Sequence, residues 1–91
     1  MIFSYHANSI ELYDAAGSRV AEVAFPDLDE KTVEISHTFV DGSLKGQGVA
    51  AQLLEAAARQ LRAKKKKAVL TCPYAVKWFE SHPEYRDIVK K

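Results

Sequence analysis

The segment Leu44-Lys45-Gly46-Gln47-Gly48-Val49-Ala50 joins a predicted strand to a predicted helix. Glycine lets the backbone approach a ligand closely, and the free N–H groups of a helix's first turn attract an anion. Lys45 adds a positive charge at the edge. The segment therefore predicts a phosphate or pyrophosphate site, with tight packing of the helix as the structural alternative. It lacks the Gly-Lys-Ser/Thr ending of a Walker loop and the full GxGxxG dinucleotide fingerprint.

Cys72 is the residue whose chemistry could be covalent. Pro73 fits the first turn of a helix, which places Cys72 at or next to the N-cap. A helix N-terminus lowers the pKa of a cysteine, and the resulting thiolate could accept an acyl group from a thioester. The alternative is a small buried residue, since free cysteine is among the most buried types.

His37 is the candidate general base, acting on an amine or on Cys72. The alternation of residues 31–40 predicts one strand with Val33, Ile35, His37 and Phe39 on its apolar face. A histidine on such a face is also commonly a hydrogen-bonded core residue. His6 and His82 look incidental, and no spacing of histidines or carboxylates predicts a metal site.

The first forty residues must position these groups as strands, because apolar and polar side chains alternate along them. Turn residues at 14–17 and again at 26–29 separate three runs, which predicts an antiparallel three-strand meander. After the glycine turn the apolar spacing changes to about 3.6 residues, from Val49 to Leu61, as in a helix with one buried face. The apolar run 68–71 then predicts a strand parallel to the third.

Together these elements predict an α/β fold of the α+β type. The antiparallel meander is followed by a βαβ unit and C-terminal helices, within a single domain spanning residues 1–91. The length of 91 residues allows one domain, and 47% hydrophobic residues exclude a disordered chain.

The net charge, the cysteine count and the length of the apolar runs exclude several functional classes. The net charge of +1 gives no support to a dedicated nucleic-acid binder, and the single cysteine excludes an internal disulfide or a cysteine-rich zinc site. No apolar run approaches the ~20 residues of a membrane span, and no secretory signal is recognisable at the start. The expectation is a cytoplasmic protein with no membrane partner.

The glycine turn and the order of elements resemble the GNAT superfamily of acyl-CoA N-acyltransferases, whose signature Q/R-x-x-G-x-G/A is matched by residues 45–50 with Lys45 in the first position. Cys72, Ala75, Phe79 and Glu80 fall at the spacing of a later motif of that family, N-x-x-A-x-x-x-Y-E. The very short GNAT-like subfamily is the most similar, with its histidine-led strand 37–40, Gly-x-Gly turn and downstream Cys-Pro. The resemblance covers roughly residues 9 to 85.

The resemblance implies a site for acetyl-CoA, the acyl donor of an N-acetyltransferase. The turn would hold the pyrophosphate, and the preceding strand would lie along the pantetheine arm. The predicted cofactor-binding residues are Phe39, Val40, Lys45, Gly46, Gln47, Gly48, Val49, Ala50 and Tyr74, and the predicted catalytic residues are Cys72 and His37.

Two departures bear on the reaction. Phe79 stands where many members place a tyrosine that can protonate the leaving thiolate, and Cys72 replaces the usual asparagine. The sequence therefore predicts acetyl transfer to an unidentified amine, directly or through Cys72. The alternatives are a non-catalytic acyl-CoA-binding or sensing module, and a small nucleic-acid or protein adaptor that uses the lysines at 64–67.

Overall fold

The computed structural model describes residues 2–90. Seven strands and two α-helices are found in this part of the chain. In order they are β1 (Ser4–Tyr5), β2 (Ser9–Tyr13), β3 (Arg19–Ala24), β4 (Asp27–Asp29), β5 (Thr32–Ile35), β6 (His37–Val40), α1 (Val49–Ala63), β7 (Lys67–Leu70) and α2 (Pro73–Glu80). Short 3₁₀ helices cover Gly42–Leu44 and Pro83–Ile88.

One long, bent hairpin connects two sheets. Its first arm is β3 continued by β4, and its second arm is β5 continued by β6. The strand order is β1-β2-β3-β6 in the first sheet and β4-β5-β7 in the second, and all pairs are antiparallel except β5 with β7. The predicted meander and the parallel pair of the βαβ unit are therefore both confirmed.

A β-bulge at Ser36 separates β5 from β6. The N–H of Ser36 donates to the carbonyl of Ala24, the same residue that pairs with His37, so two residues face one. The extra residue reverses the faces, because side chains alternate along a strand. Val33 and Ile35 are buried before the bulge, whereas His37 and Phe39 are exposed after it. The prediction that these four side chains share one apolar face is wrong for this reason.

Helix α1 covers one face of the sheets and forms the core with them. Its buried side chains recur at helical spacing and contact β2, β3, β6 and β7. The fully buried core side chains include Ile10, Val23, Phe25, Val33, Ile35, Leu53, Leu54 and Leu61. Since the burial of each such side chain is worth about 1.5–3 kcal/mol, this layer holds the hairpin against the helix.

The C-terminal segment closes the edge of the second sheet. The N–H of Lys90 donates to the carbonyl of Ala68 at 2.8 Å, and Val89 forms a bridge with Ala68. Tyr85 is buried beneath the Arg62 guanidinium, whose Cζ lies 4.8 Å from the ring centroid. Within residues 2–90, no helix combines the length and the apolar character needed to cross a membrane.

Candidate functional site

The second arm of the hairpin diverges from β7 at the bulge. β5 pairs with β7 as far as Ile35 and Leu70, and the N–H groups of Thr71 and Cys72 then both donate to the Ile35 carbonyl, at 3.2 and 3.1 Å. Beyond this point β6 pairs only with β3. A cleft therefore opens between β6 and the start of α2.

Backbone polar groups of β6 face this cleft. The N–H of Asp41 donates to the Val20 carbonyl of β3, which sets the alternation along the strand. The N–H groups of Val40 and Thr38 consequently point away from β3 and toward the cleft. This wall can hydrogen-bond a ligand that has amide groups along its length.

The glycine turn lies at the mouth of the cleft. Gly46 and Gly48 adopt positive φ values of 84° and 71°, and a Cβ built on either would meet no heavy atom within 4 Å. Gly48 is the N-cap of α1, where no side-chain hydrogen bond caps the helix. The first-turn N–H groups, including those of Val49 and Ala50, consequently lack partners within the helix. The turn thus has open backbone donors beside open space, which is the geometry that the predicted anion site requires.

A cavity of about 500 Å³ joins the turn to the cleft. Val40, Leu44 and Val49 give it apolar walls, and its remaining lining residues are Gly42, Lys45, Gly46, Gly48, Ala50 and Tyr74. No acidic side chain of residues 2–90 lines it. With the positive ends of α1 and α2 close by and Lys45 at the rim, the cavity favours an anionic ligand with an apolar portion.

Cys72 is the N-cap of α2, as predicted, and is only 8% exposed. Its Sγ lies 3.5 Å from the Thr38 hydroxyl oxygen. Burial disfavours the thiolate, but hydrogen bonds from the Thr38 hydroxyl and from backbone N–H groups of Ala75, Tyr74 and Thr38 outweigh it, so the pKa of Cys72 is lowered. The Cys72 thiol therefore ionises more readily than an ordinary cysteine.

Thr38 is therefore a site residue that sequence reasoning missed. The alternation along residues 31–40 predicted that His37 and Phe39 lie on the buried face and Thr38 on the opposite face. The bulge at Ser36 reverses this assignment. A serine between two well-formed strand segments is a weak signal for such a bulge. No stronger signal is present in the sequence.

The structure does not bring every predicted residue to the cavity. His37 and Phe39 pair with Ala24 and Glu22 and present their side chains to the open face of the sheet. Gln47 belongs to the turn, where its N–H donates to the Leu44 carbonyl, but it does not line the cavity. Val40, Lys45, Gly46, Gly48, Val49, Ala50 and Tyr74 do line it.

Phe79 and Glu80 lie elsewhere. Both line a separate groove on the opposite side of α2, of about 370 Å³, together with Leu70 and Val76. Phe79 is 6% exposed and packs edge-on against Trp78. Its ring thus has a core role, and Phe79 does not line the cavity at the glycine turn.

The lysines at 64–67 follow the opposite end of α1 from Gly48. At 1.5 Å per residue, the helix places them about 22 Å from the glycine turn. Lys66 pairs with Asp27 at 3.2 Å, and the Nζ of Lys67 donates to the Asp87 carbonyl. Within residues 2–90 no group of three or more His, Cys, Asp or Glu side chains is placed to hold a metal ion.

Comparison with known proteins identifies a matching family and a solved structure with a similar fold. The profile of the family described as GCN5-related N-acetyl-transferase matches residues 9–88. The solution structure of a GCN5-like protein from Staphylococcus aureus is similar over 98% of this chain and 87% of its own, with 27% identity and a TM-score of 0.80. None of the curated protein sequences is similar enough to this chain to count as a match.

Larger structures share part of their length with this chain. A GNAT family N-acetyltransferase from Escherichia coli, solved in complex with CoA, is 25% identical with a TM-score of 0.57; the alignment covers 64% of this chain and 35% of that one. A GNAT family acetyltransferase from Elizabethkingia anophelis with acetyl-CoA bound is 19% identical with a TM-score of 0.60, over 85% of this chain and 51% of that one. The latter similarity concerns the fold alone.

Proposed function

The chain belongs to the family of GCN5-related N-acetyltransferases, and we propose that it binds acetyl-CoA and transfers the acetyl group to an amine. The observation that carries the proposal is the cleft between β6 and α2. The cavity at the glycine turn extends to Tyr74, two residues after Cys72, and the Cys72 Sγ lies 3.5 Å from the Thr38 hydroxyl oxygen of β6. The E. coli relative with CoA bound supports the same donor.

The residues present fit this donor. The uncapped first turn of α1 and Lys45 suit the pyrophosphate, because backbone N–H groups and a positive helix end stabilise an anion. The cleft-facing N–H group of Val40 suits an amide of the pantetheine arm, and the apolar walls suit its methylene groups. Bound there, acetyl-CoA supplies an activated carbonyl carbon.

In the proposed covalent route, Cys72 acts as the nucleophile. Its Sγ, as the thiolate, would form a bond to the acetyl carbon while the carbon–sulfur bond of the thioester breaks, and the departing thiolate would take a proton from solvent. The uncharged acceptor amine would then form a bond to the same carbon, the bond to Sγ would break to restore the Cys72 thiolate, and the nitrogen would release its extra proton to solvent. In direct transfer the amine attacks the thioester itself, and the N–H groups around Sγ stabilise negative charge that develops beside them.

His37 is the proposed base for the amine. Its side chain is exposed on the open face of the sheet, one residue before Thr38. An acceptor that approaches from this face could lose its proton to the imidazole before reaching the carbonyl carbon.

Intact-mass measurement after incubation with acetyl-CoA tests the covalent route. We expect an adduct of one acetyl group on the wild type and none on Cys72→Ser. An adduct retained by the serine variant would place the modification elsewhere and contradict the relay. Circular dichroism of both proteins controls for folding.

Turnover with a panel of amines tests transfer itself. We expect the acetylation rate to fall in His37→Ala while binding of acetyl-CoA stays unchanged. Binding without turnover of any amine would instead support a sensing module. If acetyl-CoA fails to bind at millimolar concentration, the glycine turn is structural and the proposed function is wrong.

A further inference from the structure

A groove of about 370 Å³ lies on the opposite side of α2 from the cavity at the glycine turn. Its apolar lining residues are Leu70, Val76, Phe79, Pro83 and Val89, and we call it the outer groove. Val76 is 36% exposed, and Leu70 and Val89 are only partly buried. None of these residues takes part in the proposed acetyl transfer. An open apolar concavity of this kind is typical of an interaction surface.

We propose that the outer groove is the contact surface of a two-fold symmetric dimer, in which the outer grooves of two copies of this chain face each other. This inference goes beyond the proposed function and does not depend on it. Both copies use the same patch in a two-fold contact, so each residue contacts its opposite number's neighbours in the same way from both sides. Such a surface must be complementary to itself.

Two opposite charges on the rim of the outer groove meet this requirement. Glu80 ends α2, and Arg86 lies in the 3₁₀ helix Pro83–Ile88; both are exposed and both line the groove. Within residues 2–90 no ion pair engages either side chain. The two-fold rotation places Glu80 of each copy opposite Arg86 of the other, so the contact forms two equivalent ion pairs.

The backbone of Leu70 adds a second self-complementary pair of groups. The N–H of Thr71 donates to the Ile35 carbonyl of β5, whereas the Ala68 carbonyl accepts from Lys90 on the other side of β7. Backbone groups alternate in direction along a strand, so the N–H and carbonyl of Leu70 point away from β5, toward the outer groove. Within residues 2–90 no hydrogen bond engages them. A donor beside an acceptor matches the same pair rotated by 180°.

These pairs favour a second copy over an unrelated partner. A surface with charges of one sign would suit a partner of the opposite sign, but here each polar group has its complement on the same surface. The apolar part is small, and interfaces below about 1,200 Å² are typical of transient contacts. We therefore expect a weak dimer, with a dissociation constant on the order of 0.1 mM.

Sedimentation equilibrium between about 0.01 and 1 mM tests the proposal, because this range brackets the expected dissociation constant. Glu80→Arg and Arg86→Glu should each weaken self-association by about tenfold or more, since either change makes like charges face each other twice. The two variants change the net charge in opposite directions, so a loss in both reports on the contact itself. Glu30→Arg makes the same change as Glu80→Arg in the exposed turn before β5 and should associate like the wild type.

An equimolar mixture of Glu80→Arg and Arg86→Glu is the sharpest arm of the experiment. In a mixed dimer both rim contacts join a positive to a negative side chain, so association should return to about the wild-type strength. Circular dichroism of each variant controls for folding. A wild type that stays monomeric at about 1 mM would overturn the proposal. So would dimers that persist in both single variants, or a mixture that associates no better than its components.

Discussion

Replacing Gly48 by alanine should lower both the free energy of unfolding and the affinity for acetyl-CoA, and a control variant can separate the two effects. A Cβ at this position meets no heavy atom within 4 Å, so the substitution creates no clash. Its cost comes from the backbone, since φ of +71° disfavours an L-residue by about 1–2 kcal/mol. With a urea m-value of about 1 kcal/mol/M for a small domain, the unfolding midpoint should fall by about 1–2 M.

Gly17→Ala is the matched control for the stability term. Gly17 has a similar φ of +87°, also with open space at its Cβ, but lies in the turn between β2 and β3. We expect the same fall in the urea midpoint for both variants. Only Gly48→Ala should weaken binding of acetyl-CoA, by roughly 10- to 150-fold, because one hydrogen bond to a charged group is worth about 1.5–3 kcal/mol.

Gly48→Asn adds a third arm to the experiment. Asparagine tolerates the left-handed conformation better than alanine, so this variant should recover part of the stability. Its side chain still occupies the turn, and binding should remain weak. Binding by Gly48→Ala that equals that of Gly17→Ala would refute the anion site. A midpoint equal to that of the wild type would refute the backbone reasoning.

Three further outcomes follow from the site and the core. Thr38→Val should raise the pKa of Cys72, seen as a shift of the alkylation rate profile to higher pH, whereas Thr38→Ser should keep the wild-type profile because it keeps the hydroxyl. Ile35→Val should lower the free energy of unfolding in urea by about 0.5–1.5 kcal/mol and Ile35→Ala by about 2–5 kcal/mol, because this side chain next to the bulge is fully buried. Equal losses in the two variants would show that the surrounding side chains close the cavity. The Arg62 guanidinium lowers the pKa of Asp87 below its ordinary 3.8, so the stability that this carboxylate contributes is present above pH 3.8 and is lost as pH falls through the lower folded value. Asp87→Asn should therefore weaken the dependence of the urea midpoint on pH between 5 and 2, and an unchanged slope would count against the pair.

The sequence was informative where local rules decide the structure. The 3.6-residue spacing predicted α1 starting at Val49, Pro73 placed Cys72 at the N-cap, and the glycines marked a turn that requires positive φ. Each of these features depends on residues adjacent in the chain. Helix ends and turns are set mainly by such local chemistry, which explains why the prediction of the glycine turn was confirmed.

The faces of β6 depend instead on contacts distant in sequence. The bulge exists because the Ala24 carbonyl accepts from Ser36 while the Ile35 carbonyl accepts from Thr71 and Cys72. These partners lie 12 to 37 residues away in the chain. The alternation of apolar and polar residues along 31–40 contains no information about these distant partners. It therefore predicted that His37 and Phe39 lie on the buried side.

The bulge that made the prediction for β6 wrong also produces the cleft of the candidate site. An unbroken strand would continue its pairing with the segment after β7, and no cleft would separate β6 from α2. It would also direct the side chain at position 38 away from the face on which Cys72 lies. Because the extra residue both ends the parallel pairing at Ile35 and turns the Thr38 hydroxyl toward the thiol, it creates the cleft and adds to the hydrogen bonds that lower the pKa of Cys72. The departure from regular strand geometry is thus the structural origin of the proposed chemistry, consistent with the frequent occurrence of bulges beside active sites.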